Sequence, residues 1–309
     1  MSRLVTYLRS AILPARRSRP MRAAFGALVR NAHRWGKPGG VADHVTRSVC
    51  EYGVFEPGER SESVHELVDL FFDLCAIGSV DLFVEAGAKE ASASVRAADV
   101  LTADVVAFEA NPFTYRRFAA SHEERRFDYV HAALVDEPGP RVFLVRLTES
   151  GRPAADGQGS LLRRPDHAPG YRHETVDGVT LDGYIGDLDR HRTAAFERIA
   201  MWVDVEGAIA EVFGGAGRVL GRTDLVIAEV ESRPAWEGQQ YLVDDVTARL
   251  AEFGLVPVAR DVQSRWQFNV MFARASLLDD PDVADRLRRW RSGRPAADSR
   301  SANPSPEAG

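Results

Sequence analysis

Two strand tips carry the residues best placed to do chemistry. Val80-Asp-Leu-Phe-Val-Glu85-Ala-Gly87-Ala88 ends an apolar run in a carboxylate and a glycine, and twenty-four residues after Glu85 a second run ends in Phe108-Glu109-Ala-Asn111-Pro112. A glycine behind the first strand of a parallel sheet lets backbone approach a ligand, and a carboxylate at the neighbouring tip can accept hydrogen bonds from ribose hydroxyls. The pairing points to a nucleoside cofactor. A dinucleotide would need GxGxxG so that its pyrophosphate could sit on a helix N-terminus, and this turn holds only one of those glycines. An acid-x-glycine turn suits S-adenosylmethionine, which has no phosphate but carries a cationic amino group and a sulfonium. The bland alternatives are an ordinary strand-to-helix turn at Gly87 and a solvated acid at Glu109.

A third group is Met201-Trp-Val-Asp204-Val-Glu206-Gly207-Ala208. Strand periodicity puts Trp202, Asp204 and, if the strand extends, Glu206 on one side, so two carboxylates and an aromatic would line the crevice. Such acids can act as a general base on an acceptor hydroxyl, ligate a divalent cation, or cap the next helix. We assign them to catalysis and expect no metal. Asn111-Pro112 supplies a helix cap followed by proline at the first helical position. His131, His167 and His173 are isolated and lack a nucleophile motif, which leaves a hydrolase triad without support. Trp236, Trp266 and Trp290 read as packing or surface anchors.

The elements that must position these tips alternate along the chain. Residues 60–78 read as a helix with an apolar stripe through Val64, Leu67, Leu70, Phe71, Leu74 and Cys75. Then come strand 80–85, helix 90–100, strand 104–109, helix 112–122 and strand 128–135, the signature of a doubly wound, mostly parallel α/β sheet. Arg141–Leu147 reads as a strand, and residues 149–172 as an irregular Gly/Pro-rich loop of the kind that serves as a lid. A short strand entering a helix over 174–182, buried strands at 199–204 and 225–230, helix 240–253 and an antiparallel edge hairpin of 255–260 with 267–273 complete the pattern.

Composition sets the bounds. The 309 residues are 45% hydrophobic and 27% charged, enough for one large domain with appendages. Cys50 and Cys75 are the only cysteines, so neither a disulfide framework nor a zinc site is implied, and a reducing cytoplasm fits. Nine Lys and Arg residues and no acid precede Asp43, so a net charge of −6 divides into a basic arm of +9 and an acidic body of −15. The arm includes a stripe of Met21, Phe25, Leu28, Val29 and Ala32 flanked by arginines, suited to packing on the main domain or to peripheral contact with a membrane. No apolar run approaches the ~20 residues of a spanning helix. An acidic body argues against a nucleic-acid partner.

Taken in order, Phe83-Val-Glu85-Ala-Gly87-Ala88, Ala107-Phe108-Glu109-Ala-Asn111-Pro112, His131-Ala-Ala-Leu134, Gly159-Ser160-Leu161, Val179-Thr-Leu181-Asp182 and Val203-Asp204-Val-Glu206-Gly207-Ala208 resemble the FkbM family of methyltransferases over residues 80 to about 231. The resemblance implies a class I methyltransferase fold, Rossmann-like, and S-adenosylmethionine-dependent O-methylation of a sugar, glycan or natural product. It implies that Glu85, Gly87 and Ala88 hold the methionine part of the cofactor, with Asn111 in the same cofactor-binding set, that Glu109 holds the ribose, and that Asp204 and Glu206 face the acceptor. The alternatives are a catalytically inactive binding protein on the same fold, or a nicotinamide-dependent oxidoreductase. The expected division is a basic helical arm at 1–58, the methyltransferase domain at 59–276 and a largely disordered tail at 277–309. This chain departs from the family's pattern in having Lys89 for asparagine, Ala91 for a second glycine and Trp202 for lysine. Ala91 is expected to be helical already, and Lys89 to pair with Glu85 or Glu90.

Overall fold

A strand whose residues are apolar on both faces can only be stable with both faces covered. Leu82–Ala86 is such a strand, buried at every position, and the molecule is built outward from it. The computed structural model describes residues 57–291 except Gln263 and Arg265. Helix α1 (Pro57–Ile77) leads into β1 (Leu82–Ala86), followed by α2 (Ser92–Val100), β2 (Asp104–Phe108), α3 (Pro112–His122) and β3 (Asp128–Val130). Next come β4 (Ala133–Leu134), β5 (Gly139–Arg146), β6 (Tyr171–Val179), α4 (Leu181–Arg190), β7 (Ile199–Val203), α5 (Ile209–Gly214), α6 (Gly217–Leu220) and β8 (Thr223–Glu231). The chain continues through α7 (Val243–Ala251), β9 (Leu255–Arg260), β10 (Gln267–Arg274), a 3-10 turn (Ala275–Asp279) and α8 (Pro281–Arg291).

The main sheet has seven strands in the order β3-β2-β1-β7-β8-β10-β9. Its strands are parallel except β10, which runs antiparallel to both β8 and β9. The edge hairpin therefore forms as expected, with its second strand inserted between β8 and the outer β9. Apolar side chains of α4 to α7 pack on one face around Leu82, Val84, Met201 and Val226. Those of α1, α2 and α8 pack on the other, around Phe83, Ala107, Ala200 and Ile227. Phe71 on α1 sits edge-on to Phe83 and Trp202.

Three expectations need revision. The single strand at 128–135 is two: the chain turns at His131 and Ala132, so β3 ends in the main sheet and β4 joins a second sheet of order β4-β6-β5. The tail does not begin at 277, because α8 docks on α1 through buried Val283, Leu287 and Trp290, with Arg286 Nε donating to Asp73 Oδ2 at 2.6 Å. Those three apolar positions recur at helical spacing inside an arginine-rich stretch whose charge masks them. At the other end, α1 begins before the boundary drawn at 58, and the rest of the basic arm lies outside the described residues. Among the described residues no helix is long and apolar enough to cross a membrane.

Candidate active site

Chain order reverses between β1 and β7, and in an open parallel sheet the crevice beyond the strand ends at such a point is where ligands bind. Here the crevice is a small cavity that opens to solvent. Gly87 and Lys89 after β1, Glu109 and Asn111 after β2, and Asp204 after β7 reach it from the strand tips. Apolar Leu134, Phe143 and Leu161 form a second wall.

Gly87 makes the tips converge. Its φ is +80°, and a Cβ placed there would lie 1.8 Å from the Asp204 carbonyl oxygen. Its N–H and that of Ala88 both donate to the Phe108 carbonyl, at 3.0 and 2.9 Å, and Asp204 N–H donates to Ala86 at 2.9 Å. The turn thus knits β1, β2 and β7 into one rim, which any side chain at position 87 would break.

Glu109 stands in that rim, 6% exposed. Its two oxygens accept the backbone N–H groups of Lys89 and Asn111, both at 2.6 Å. Burial, partly offset by those donors, pushes its pKa up to about 7. Each carboxylate oxygen has a second lone pair, so acceptor capacity remains toward the cavity. Asn111 caps α3 by accepting from Phe113 and Thr114 N–H, and its Nδ2 donates to Ala154 at 3.1 Å.

Glu85 and Ala88 do not line the cavity. Glu85 turns the other way, accepting Ser94 N–H at 2.7 Å and so holding the first turn of α2, where burial raises its pKa to about 7. Ala88 is buried in the apolar layer beneath α1 and α2. Trp202 is likewise withdrawn, packed against Phe71. β7 ends at Val203, so strict alternation does not carry Trp202 to the side of Asp204.

Two of the three departures from the family pattern, Lys89 and Ala91, sit at backbone extremes, as does Glu206. Lys89, Ala91 and Glu206 have φ of 46°, 55° and 49°, the left-handed region that costs a side chain of order 1–2 kcal/mol. Ala91 is therefore not helical but the left-handed residue that introduces α2. The family's asparagine and glycine at these two positions are the residues that tolerate such angles. Lys89 pairs with Glu90, Nζ to Oε2 at 3.0 Å, and Tyr129 donates its hydroxyl to the Lys89 carbonyl.

The irregular segment between β5 and β6 is pinned over the cavity. Asn111 holds Ala154, Thr114 Oγ1 donates to the Asp156 carbonyl at 3.3 Å, and Ser160 Oγ donates to the Glu206 carbonyl at 2.8 Å. Asp156, Gly157 and Gly159 from this segment line the cavity. Gly159 is required for the close fit, since a Cβ there would meet the Phe143 ring at 2.6 Å.

Beyond β7 the carboxylates gather. Asp204, Glu206 and Glu229 each place an oxygen within 4.8 Å of the others, and Asp204 faces the cavity. Glu206 lies behind Asp204, outside the cavity wall. Burial raises the pKa of all three, Glu206 to about 8, Asp204 above its usual range and Glu229 well above, and Glu229 Oε1 accepts Gln267 Nε2 at 2.6 Å. Glu231, 2% exposed, is raised to about 7, first by burial. Neither Glu229 nor Glu231 stood out in the sequence, although Glu229-Val-Glu231 repeats the acid-x-acid pattern of Asp204-Val-Glu206 at the tip of the next strand.

Residues 85–257 match the model of the methyltransferase FkbM domain. The sheet order and crevice are those of the class I, Rossmann-like methyltransferase fold. Similar solved structures include magnesium protoporphyrin IX methyltransferase from Synechocystis PCC 6803 with bound SAM, 10% identical, covering 81% of this chain and 91% of that one at a TM-score of 0.38. A precorrin-6y C5,15-methyltransferase from Geobacter metallireducens GS-15 is 12% identical, covering 68% and 88% at 0.34. A TehB-like SAM-dependent methyltransferase from Corynebacterium glutamicum is 10% identical, covering 71% and 100% at 0.32. No curated protein matches the chain.

Proposed function

The chain belongs to the methyltransferase FkbM domain family, and from that premise we propose that it transfers the methyl group of S-adenosylmethionine to a hydroxyl oxygen of a sugar, glycan or natural product. The observation that carries this reading is one cavity bounded by Gly87, by Glu109 and by Asp204, from three adjacent strand tips. The donor set fits such a cofactor. Glu109 is fixed by two backbone donors with lone pairs left for ribose hydroxyls, Leu134, Phe143 and Leu161 offer an apolar wall to a purine, and the single-glycine turn offers no phosphate cradle.

When bound, the cofactor supplies an electrophilic methyl on a sulfonium. The protein's work is then positioning and proton handling. Asp204, raised by burial and facing the cavity, accepts the hydroxyl proton as the oxygen–methyl bond forms and the sulfur–methyl bond breaks, and Glu206 and Glu229 beside it spread the proton's position. The pinned segment over the cavity keeps water from competing for the methyl. Holding acceptor and methyl in line contributes the larger part of the acceleration.

The test is calorimetric titration of the full chain with S-adenosylmethionine and S-adenosylhomocysteine, alongside mass spectrometry of the purified protein for co-purified ligand. Wild type is expected to bind, and Glu109→Ala to weaken binding about 100-fold, the loss of hydrogen bonds to a charged acceptor worth ~3 kcal/mol. Equal affinity in wild type and variant would remove Glu109 from the site. Absence of binding at millimolar ligand would favour a methyltransferase-fold protein without methyl transfer.

A further inference from the structure

We propose that Asp204, Glu206 and Glu229 form a binding site for one divalent cation of the hard, oxygen-seeking class, Mg²⁺ or Mn²⁺, beside the acceptor end of the cavity. The three carboxylates come from two adjacent strand tips and the turn that follows one of them. β7 and β8 are in register at Val203 and Ala228, so the next residues, Asp204 and Glu229, emerge side by side. The left-handed turn at Glu206 then brings a third carboxylate back to them, leaving oxygens of all three within 4.8 Å of one another. An all-carboxylate set of this kind suits Mg²⁺ or Mn²⁺ rather than a thiolate- or imidazole-seeking metal.

Carboxylates cluster on many proteins without a metal, and a second observation separates this group from those. Glu231 lies on the same face of β8 as Glu229, two residues on, and is 2% exposed. Its Oε2 accepts Gln239 Nε2 at 2.6 Å, while Oε1 is buried with no hydrogen-bond partner among the described residues. Glu231 thus places this unsatisfied buried acceptor on the strand face that carries Glu229. A buried acceptor of this kind is unfavourable unless something positive or protic meets it.

Nearby cations do not fill that role. Lys89 faces Asp204, but its amino group is paired with Glu90. Arg164 faces Glu206 and Glu231, but its guanidinium is paired with Asp166 at 3.2 Å and lies over the Trp236 ring. Four carboxyl groups with two diverted cations can reach neutrality only by binding protons or by binding a divalent ion, with waters reaching Glu231, in the protons' place. The binding needs no assumption about the reaction. Its role rests on the methyl-transfer reading: an ion at Asp204 offers coordination to two neighbouring acceptor oxygens, which selects a vicinal diol or a hydroxy acid. It also acidifies the hydroxyl that is methylated, so that in the ion-loaded protein water takes the proton that Asp204 accepts in the ion-free site, and Asp204 and Glu206 serve as ligands.

Mn²⁺ added to the chelator-stripped full chain, with neither cofactor nor acceptor present, reports the site through loss of the free-ion paramagnetic resonance signal. One ion per chain is expected, with a Kd below about 100 μM, and Glu229→Gln and Asp204→Asn should each weaken it at least tenfold while Glu123→Gln, on the far surface, leaves it unchanged. Absence of saturable binding up to about 1 mM, or undiminished binding in the Asp204→Asn/Glu229→Gln double variant, overturns the proposal. If that double variant does not fold, Glu206→Gln takes its place with the same criterion. Mn²⁺ binding without any S-adenosylmethionine binding would leave the ion site standing and remove the methyl-transfer reading, and the converse result would do the opposite.

Discussion

The tip of β2 and the joint tips of β7 and β8 both bury acid, yet they solve the problem differently. Glu109 receives two backbone N–H groups at 2.6 Å and stands alone. Asp204, Glu206, Glu229 and Glu231 have mainly one another, the two glutamine amides that donate to Glu229 and Glu231, and two cations engaged elsewhere. A carboxylate fixed by amide dipoles is prepared for neutral hydroxyls. Carboxylates that repel one another are prepared for protons or for a cation. On the proposed reading, the two acidic sites within one crevice serve opposite partners, nucleoside on one side and reacting acceptor on the other.

Three experiments can break or sharpen that contrast. The largest effect is expected of Gly87→Ala, because the added Cβ collides with backbone and Gly87 joins both tips. We expect at least ~3 kcal/mol lost in urea unfolding together with loss of cofactor binding, and a stable variant with intact binding would show that the rim is not the shared support. Next comes pH. Glu206 is raised to about 8 and Glu109 and Glu231 to about 7, so each binds its proton more tightly folded than unfolded. That stability is complete below the ordinary carboxylate pKa near 4.5 and declines as pH rises toward 8, by about 1.4 kcal/mol per pKa unit for a fully buried group. Thermal unfolding should therefore weaken from pH 5 to pH 8, and Glu206→Gln should flatten the slope more than Glu109→Gln, whose charge the backbone already supports. A slope that both variants leave untouched would place the titrating groups elsewhere. The smallest effect belongs to Lys89→Asn, which relieves a left-handed side chain and removes a cation from the cavity edge. About 0.5–1 kcal/mol of added stability is expected in chemical unfolding, with tighter cofactor binding, and a net loss would mean that the Lys89–Glu90 pair matters more than the backbone angle.

Much of this arrangement is legible in residue order. Apolar runs ending in Glu85, Glu109 and Asp204 identify the strands and their tips, because parallel strands buried on both faces admit polar residues only where they emerge. The destination of each tip residue is harder to read. Glu85 looks equivalent to Glu109 until α2 is placed, since its carboxylate serves whichever N–H groups lie nearest, and those belong to Ser94 and its neighbours. Ala91 reads as helical because alanine favours helix, and only the path of the turn forces it left-handed. Glu229 and Glu231 were overlooked because β8 joins the site through a pairing some twenty-five residues distant in sequence, which no local pattern records.

The segment between β5 and β6 is fastened at Ala154 and Asp156 to the helix that follows the β2 tip, and at Ser160 to the acid turn after β7. It lies over the crevice like a strap buckled at both ends, while the cavity keeps an opening to solvent. Those fastenings are three side-chain-to-backbone hydrogen bonds, each worth about 1 kcal/mol, so widening the opening for a larger molecule costs only a few small contacts.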